Sequence, residues 1–156
     1  MIITWTTSAS LIPDAKRIVL ILSPHNHTTQ VLLDRHQFMI HLLAHDQSAL
    51  VPTFGLYSSR DVDKFASTSF TLDEESGIPI VDRTCGWAQG HLISQIDAGY
   101  RLIVLAQIEQ ETAQPVRQSL LVQDLAQHLP VDTLQAMKDR YLQDVERDRC
   151  IRAQTS

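Results

Sequence analysis

Apolar and polar positions follow two different rhythms along this chain. Up to about residue 114 the apolar residues gather in short runs, and beyond it they recur at helical spacing. "RIVLIL" (17–22), "FMIHLL" (38–43) and "RLIVLAQI" (101–108) are continuous and rich in β-branched residues, a pattern that predicts strands buried on both faces. "GWAQGHLISQI" (86–96) predicts a fourth strand, with Trp87, Gln89, His91, Ile93 and Gln95 on one face. Its two glycines predict a bulge or a close backbone approach.

Between the first two strands, "HTTQVLLDRHQ" predicts a short crossover helix capped by Thr28 or Thr29. Residues 44–70 read as a short helix interrupted near Pro52 and then a polar loop, and "LDEESGIPIVD" as a return through an acidic turn at Gly77. After Pro115, Leu120, Leu121, Leu125 and Leu129 fit one helical face that Pro130 ends. A second helix is expected from Asp132 or Thr133, with Leu134, Met137, Tyr141, Leu142 and Val145 as its apolar face. The fold class is mainly β with peripheral helices, a barrel or sandwich with a helical tail. The 156 residues are enough for one domain, with the barrel over 1–114 and the tail over 115–156.

Composition narrows the function by exclusion. A formal net charge of −5 offers no basic footprint for a nucleic-acid backbone. No apolar run approaches the roughly 18 residues that span a bilayer, and no secretory signal is visible, so no membrane partner is expected and the expected location is cytoplasmic. Cys85 and Cys150 have neither disulfide nor zinc spacing. His25 and His27 are the closest histidine pair but lack a third local ligand, so no metal is expected. His41, inside an apolar strand, reads as a hydrogen-bonded core residue. GxSxG, GxxxxGK[ST] and GxGxxG are all absent, which removes the common hydrolase and nucleotide-loop signatures.

One segment is left unexplained by these exclusions. "TWTTSAS" (4–10) places five hydroxyls and a tryptophan in seven residues. If extended, it puts Thr4, Thr6, Ser8 and Ser10 on one face and Trp5, Thr7 and Ala9 on the other. Such a row is either the exposed face of an edge strand or a shelf of neutral donors for a phosphorylated cofactor.

Taken in order, "TWTTSASLIPDAKRIVLIL", "SPHNHTTQVLLDRHQFMIHLL", "SSRDVDKFA", "GIPIVD" and "GYRLIVLAQI" resemble the flavin reductase-like family, the FMN-binding split barrels, over about residues 3–110. The resemblance implies a split β-barrel and a homodimer. It also implies FMN as cofactor, with FAD as the alternative, and NAD(P)H as co-substrate delivering hydride to flavin N5. Electrons would pass on to free flavin, oxygen, a metal centre or a protein redox partner.

Matched position by position, Thr4, Trp5, Thr6, Thr7, Ser8 and Ser10 would line the flavin. Asn26, His27 and Thr28, at the start of the first helix, would meet its phosphate, and Lys64 of "DKF" would add a positive charge. No side chain need act as a general base. The family's "GdH" reads Gly99, Tyr100, Arg101 here, its later glycine is Ala106 and its strand asparagine is His41. The family usually has a strand before the hydroxyl segment; only four residues precede Trp5, so either the start has been clipped or misassigned or that strand is missing. These departures define a second reading, a degenerate barrel serving as a non-catalytic binding or assembly module. A pyridoxamine-phosphate-oxidase-like activity is a third, without the basic cluster that a second phosphate would need.

Overall fold

The computed structural model describes residues 6–12 and 14–155. Five strands form one antiparallel sheet in the order β1 (Thr6–Ser8), β2 (Arg17–Leu22), β7 (Leu102–Ala113), β6 (Gly86–Asp97) and β3 (Gln37–Leu42). The hairpin of β4 (Phe70–Leu72) and β5 (Pro79–Val81) stands apart and packs on β3. All four apolar runs are therefore strands, within a residue or so at most ends; β7 extends further, through Ala113.

The core lies on one side of this sheet. Leu20, Leu22, Leu102, Val104 and Ala106 alternate inward from β2 and β7 and meet Leu32 of α1 (His27–Arg35). Val104 and Ala106 have no exposed surface. The runs looked two-sided because the opposite face of these strands is also apolar, with Val19 and Ile21 facing Leu105 and Ile103.

Strand β6 departs from simple alternation. Register shifts at Gln89/Gly90 and Leu92/Ser94 rotate its side chains, so Gln89 is buried while Ile93 and Gln95 are exposed. The five residues expected on one face are split between faces. The glycine expectation holds: a Cβ on Gly90 would lie 2.5 Å from the Gln107 carbonyl oxygen, and one on Gly86 2.5 Å from that of Thr112.

Helix α2 (Leu50–Leu56) is not interrupted at Pro52, because Pro52 is its third residue, where no intrahelical N–H bond is lost. The acidic turn at Gly77 is present, with φ of +67° and an N–H bond to Asp73 O of 2.9 Å. Leu120 and Leu121 are not helical. The segment 118–120 pairs backbone to backbone with residues 43–45, through Leu120 N to Leu43 O (2.9 Å) and His45 N to Gln118 O (2.8 Å). A 3-10 turn over Val122–Asp124 and a single α-helical turn, α3 (Leu125–His128), follow before Pro130.

The long tail helix α4 (Val131–Thr155) begins at Val131 rather than beyond Asp132 or Thr133, since the Pro130 carbonyl accepts the Leu134 N–H at 3.0 Å. Its inner face is mixed. Leu134, Met137 and Val145 are half-buried as expected, but Tyr141 and Leu142 are exposed while Arg140, Asp144 and Asp148 take inner positions. Asp148 forms a 2.6 Å ion pair with Arg101 at the β6–β7 turn, and α4 also packs on α2.

Candidate functional site

Helix α1 starts after Asn26, which takes an extended backbone conformation and accepts the N–H groups of Thr29 (2.9 Å) and Gln30 (3.2 Å). The cap is thus Asn26 and not Thr28 or Thr29; Thr29 is fully buried under the helix. No side chain caps this end, and the leading N–H groups of any helix have no carbonyl ahead of them. The first turn therefore presents donors and the positive end of the helix dipole.

A cleft of about 700 Å³ opens at this end of α1. Asn26, His27 and Thr28 form one wall, the 57–61 loop and Lys64 the floor, and the face of α4 from Met137 to Arg147 the opposite wall. The structure thus brings together four of the residues singled out from sequence, Asn26, His27, Thr28 and Lys64. The lining carries Arg60, Lys64, Arg140 and Arg147 against the carboxylates of Asp61 and Asp144, so it is cationic within a chain of net charge −5.

Lys64 is not a solvated loop lysine. It is 5% exposed, its Nζ donates to Phe54 O at 3.1 Å and lies 5.8 Å from the Phe54 ring centroid, and burial pushes its pKa down. Its neighbour Phe65 is held edge-on between Phe54 and Phe70, which fixes the loop that carries Lys64. Arg60 donates to Gln30 of α1, tying the same loop to the first helix. His27 Nδ1 is buried without a hydrogen-bond partner. An orphaned ring nitrogen beside uncapped N–H groups suits an oxyanion.

The hydroxyl segment lies elsewhere. Thr6, Thr7 and Ser8 form the exposed edge strand β1, and none of them, nor Ser10, lines the cleft. Thr6 and Ser8 oppose Leu20 and Ile18, so they share the sheet face that α1 covers, whereas Thr7 opposes Val19 on the other. Ser10 Oγ bonds locally, accepting the Ile12 N–H at 3.1 Å. Thr4 and Trp5 lie outside the described residues.

Among the described residues no group of three or more metal-ligating side chains comes together, and no helix is long and apolar enough to cross a membrane. His41 is structural. Its Nε2 accepts the Val81 N–H at 3.1 Å, joining β3 to β5, and burial lowers its pKa to about 4. Sequence reasoning missed Arg60, Arg140, Tyr141 and Arg147. The only signal for the last three was their spacing on one helical stripe.

The High molecular weight rubredoxin of Moorella thermoacetica is 29% identical over 97 residues, which is 61% of this chain and 42% of the relative. The chain therefore spans less than half of that protein. Among solved structures, the NADH:FAD oxidoreductase of Streptomyces globisporus superposes with a TM-score of 0.66 at 22% identity, covering 73% of this chain and 67% of its own. An FMN-binding protein from Thermus thermophilus gives 0.64 at 21% identity, over 73% and 62% of the two chains. The mainly antiparallel sheet with C-terminal helices is the split-barrel type expected from sequence. A sequence model of the flavin reductase like domain matches residues 1–124, and the chain belongs to that family.

Proposed function

We propose that the chain binds a flavin mononucleotide unit by its phosphate at the N-terminal end of α1 and acts as an NAD(P)H-dependent oxidoreductase toward an acceptor still to be identified. The observation that carries this reading is the cationic cleft, where Asn26, His27, Thr28 and Lys64 meet. A phosphate oxygen there would accept from the orphaned His27 Nδ1, from the leading N–H groups of α1 and from the Lys64 ammonium. Thr6, Ser8 and Ser10, with Thr4 and Trp5 ahead of them, would contact the ring system, whereas Thr7 opposes Val19 on the other face. The placement of Thr6 and Ser8 on the α1 side of the sheet supports this part.

Bound flavin supplies hydride acceptance and electron transfer, which no side chain of this site offers. The protein's own part is to neutralise the phosphate, orient the ring and keep water from it. In this reading residues 1–156 form one domain, supported by the 118–120 pairing with 43–45 and by the Arg101–Asp148 ion pair. A homodimer would use the outer sheet face, where Ile103 lies between Ile21, 37% exposed, and Ile96, 65% exposed, beside the Val19–Leu105 pair. The rubredoxin-named relative supports a rubredoxin as the protein redox partner.

The purified protein, incubated with excess FMN and desalted, should carry a flavin spectrum that bleaches with NADH or NADPH. Thr28→Ala and Ser8→Ala should each weaken FMN binding. A protein that stays colourless after incubation with FMN and with FAD refutes the reading.

A further inference from the structure

The phosphate reading uses one wall of the cleft and leaves the other unexplained. Met137, Arg140, Asp144 and Arg147 follow one another at three- or four-residue spacing, with Tyr141 beside Arg140, and so form one stripe of α4. From Met137 to Arg147 that stripe is about 15 Å long at 1.5 Å per residue, far longer than a single phosphate.

Its chemistry is not that of a packing face. Asp144 lies 3.8 Å from Arg140 Nε and 3.4 Å from Arg147 Nη1, so one carboxylate sits within ion-pair distance of two guanidiniums, hydrogen-bonded to neither, and leaves the wall cationic. Tyr141, on the same stripe, is 65% exposed although its ring lines the cleft. Two fork-shaped cations beside an open aromatic ring and the adaptable Met137 side chain suit a pyrophosphate followed by a flat heterocycle. The helix lies beyond residues 1–124, the stretch that the family model matches. It is fixed in place by Asp148 on Arg101 at 2.6 Å.

We propose that α4 is the second wall of the ligand site, and that Arg140, Arg147 and Tyr141 select ligands carrying an adenosine diphosphate moiety. The inference rests on the flavin reading above. Such a moiety arrives either with FAD, continuing from the phosphate held at α1, or with the nicotinamide dinucleotide. In both cases the guanidiniums hold the pyrophosphate and Tyr141 stacks on the adenine.

The test is equilibrium binding to the full chain of FMN and FAD by flavin fluorescence, and of NADH by nicotinamide fluorescence. Wild type is compared with R140Q/R147Q, Tyr141→Ala and Tyr141→Phe. Arg140 and Arg147 side chains are 42% and 41% exposed, so an unchanged circular dichroism spectrum and melting temperature are expected. If FAD brings the moiety, R140Q/R147Q weakens FAD about tenfold or more and leaves FMN within about twofold. If the nicotinamide dinucleotide brings it, NADH binding weakens by that factor while FAD and FMN hold. In either case Tyr141→Ala follows the double variant and Tyr141→Phe follows wild type. Equal weakening of FMN and FAD, or no change for any ligand, overturns the inference while the flavin reading stands. A wild-type chain that binds neither flavin overturns both, and the wild-type titration alone reveals that case.

Discussion

Acid should weaken this fold through His41, and the effect can be isolated by one substitution. In the folded chain the imidazole is neutral, because it is largely buried and its Nε2 accepts the Val81 N–H at 3.1 Å. Its pKa falls from 6.5 to about 4. The unfolded chain binds a proton below pH 6.5 where the folded chain does not, so His41 contributes its full stability above that pH. The contribution is lost as the pH falls toward 4. Full linkage would remove about 2 kcal/mol by pH 5, and partial exposure of the ring trims this to about 1 kcal/mol. His41→Gln keeps an acceptor near the Nε2 position and removes the titration, so the other histidines cancel in the comparison. Urea unfolding of both proteins at steps from pH 7.5 to 5 should show wild type losing about 1 kcal/mol more than the variant. Parallel curves across that range would show that His41 is not held neutral by the β3–β5 contact.

Three further outcomes follow from particular contacts. Gly90→Ala should destabilise the protein by about 2 kcal/mol in denaturant unfolding, since the new methyl would stand 2.5 Å from Gln107 O and 2.8 Å from Phe38 Cζ. Lys64→Met should keep the fold, as the aliphatic stem is replaced, yet weaken FMN binding about tenfold, read by fluorescence titration. Arg101→Gln should loosen α4 by about 1 kcal/mol, seen as faster limited proteolysis of the tail with little change in the melting of the barrel; unchanged proteolysis would mean that packing on α2 alone holds the helix.

What the sequence disclosed and what it hid divide along physical lines. β2 was legible to the residue because six consecutive apolar or half-apolar positions outweigh any helical alternative. The strand nature of "GWAQGHLISQI" and the close approach at its glycines were legible too, but its facing was not, since bulges depend on partner strands. Leu120 and Leu121 matched a helical period by coincidence, and their backbone groups found carbonyl and amide partners beside β3 instead. In the site, "NHTT" could be read as a helix start, although the cap fell on Asn26 rather than on the threonines. The meeting of that start with Lys64 spans 36 residues of sequence and required the tertiary fold.

The tail shows why a helical period is a weak guide to what a helix covers. Leu134, Met137 and Val145 supply too little apolar surface to hold twenty-five residues by burial, and none of the described α4 side chains is fully buried. Packing on α2 and the ion pair between Arg101 and Asp148 hold the helix, the latter less exposed than the Arg140–Asp144, Arg147–Asp144 and Arg149–Glu146 pairs. Arg101 occupies the position where the family pattern carries histidine. An arginine at that turn without Asp148 would lose its carboxylate partner, and Asp148 without it would be a half-buried carboxylate lacking this guanidinium. The Arg101 turn and α4 therefore hold each other in place. Together they set a cationic, aromatic face beside the cleft at α1, where a packing helix would have set leucines.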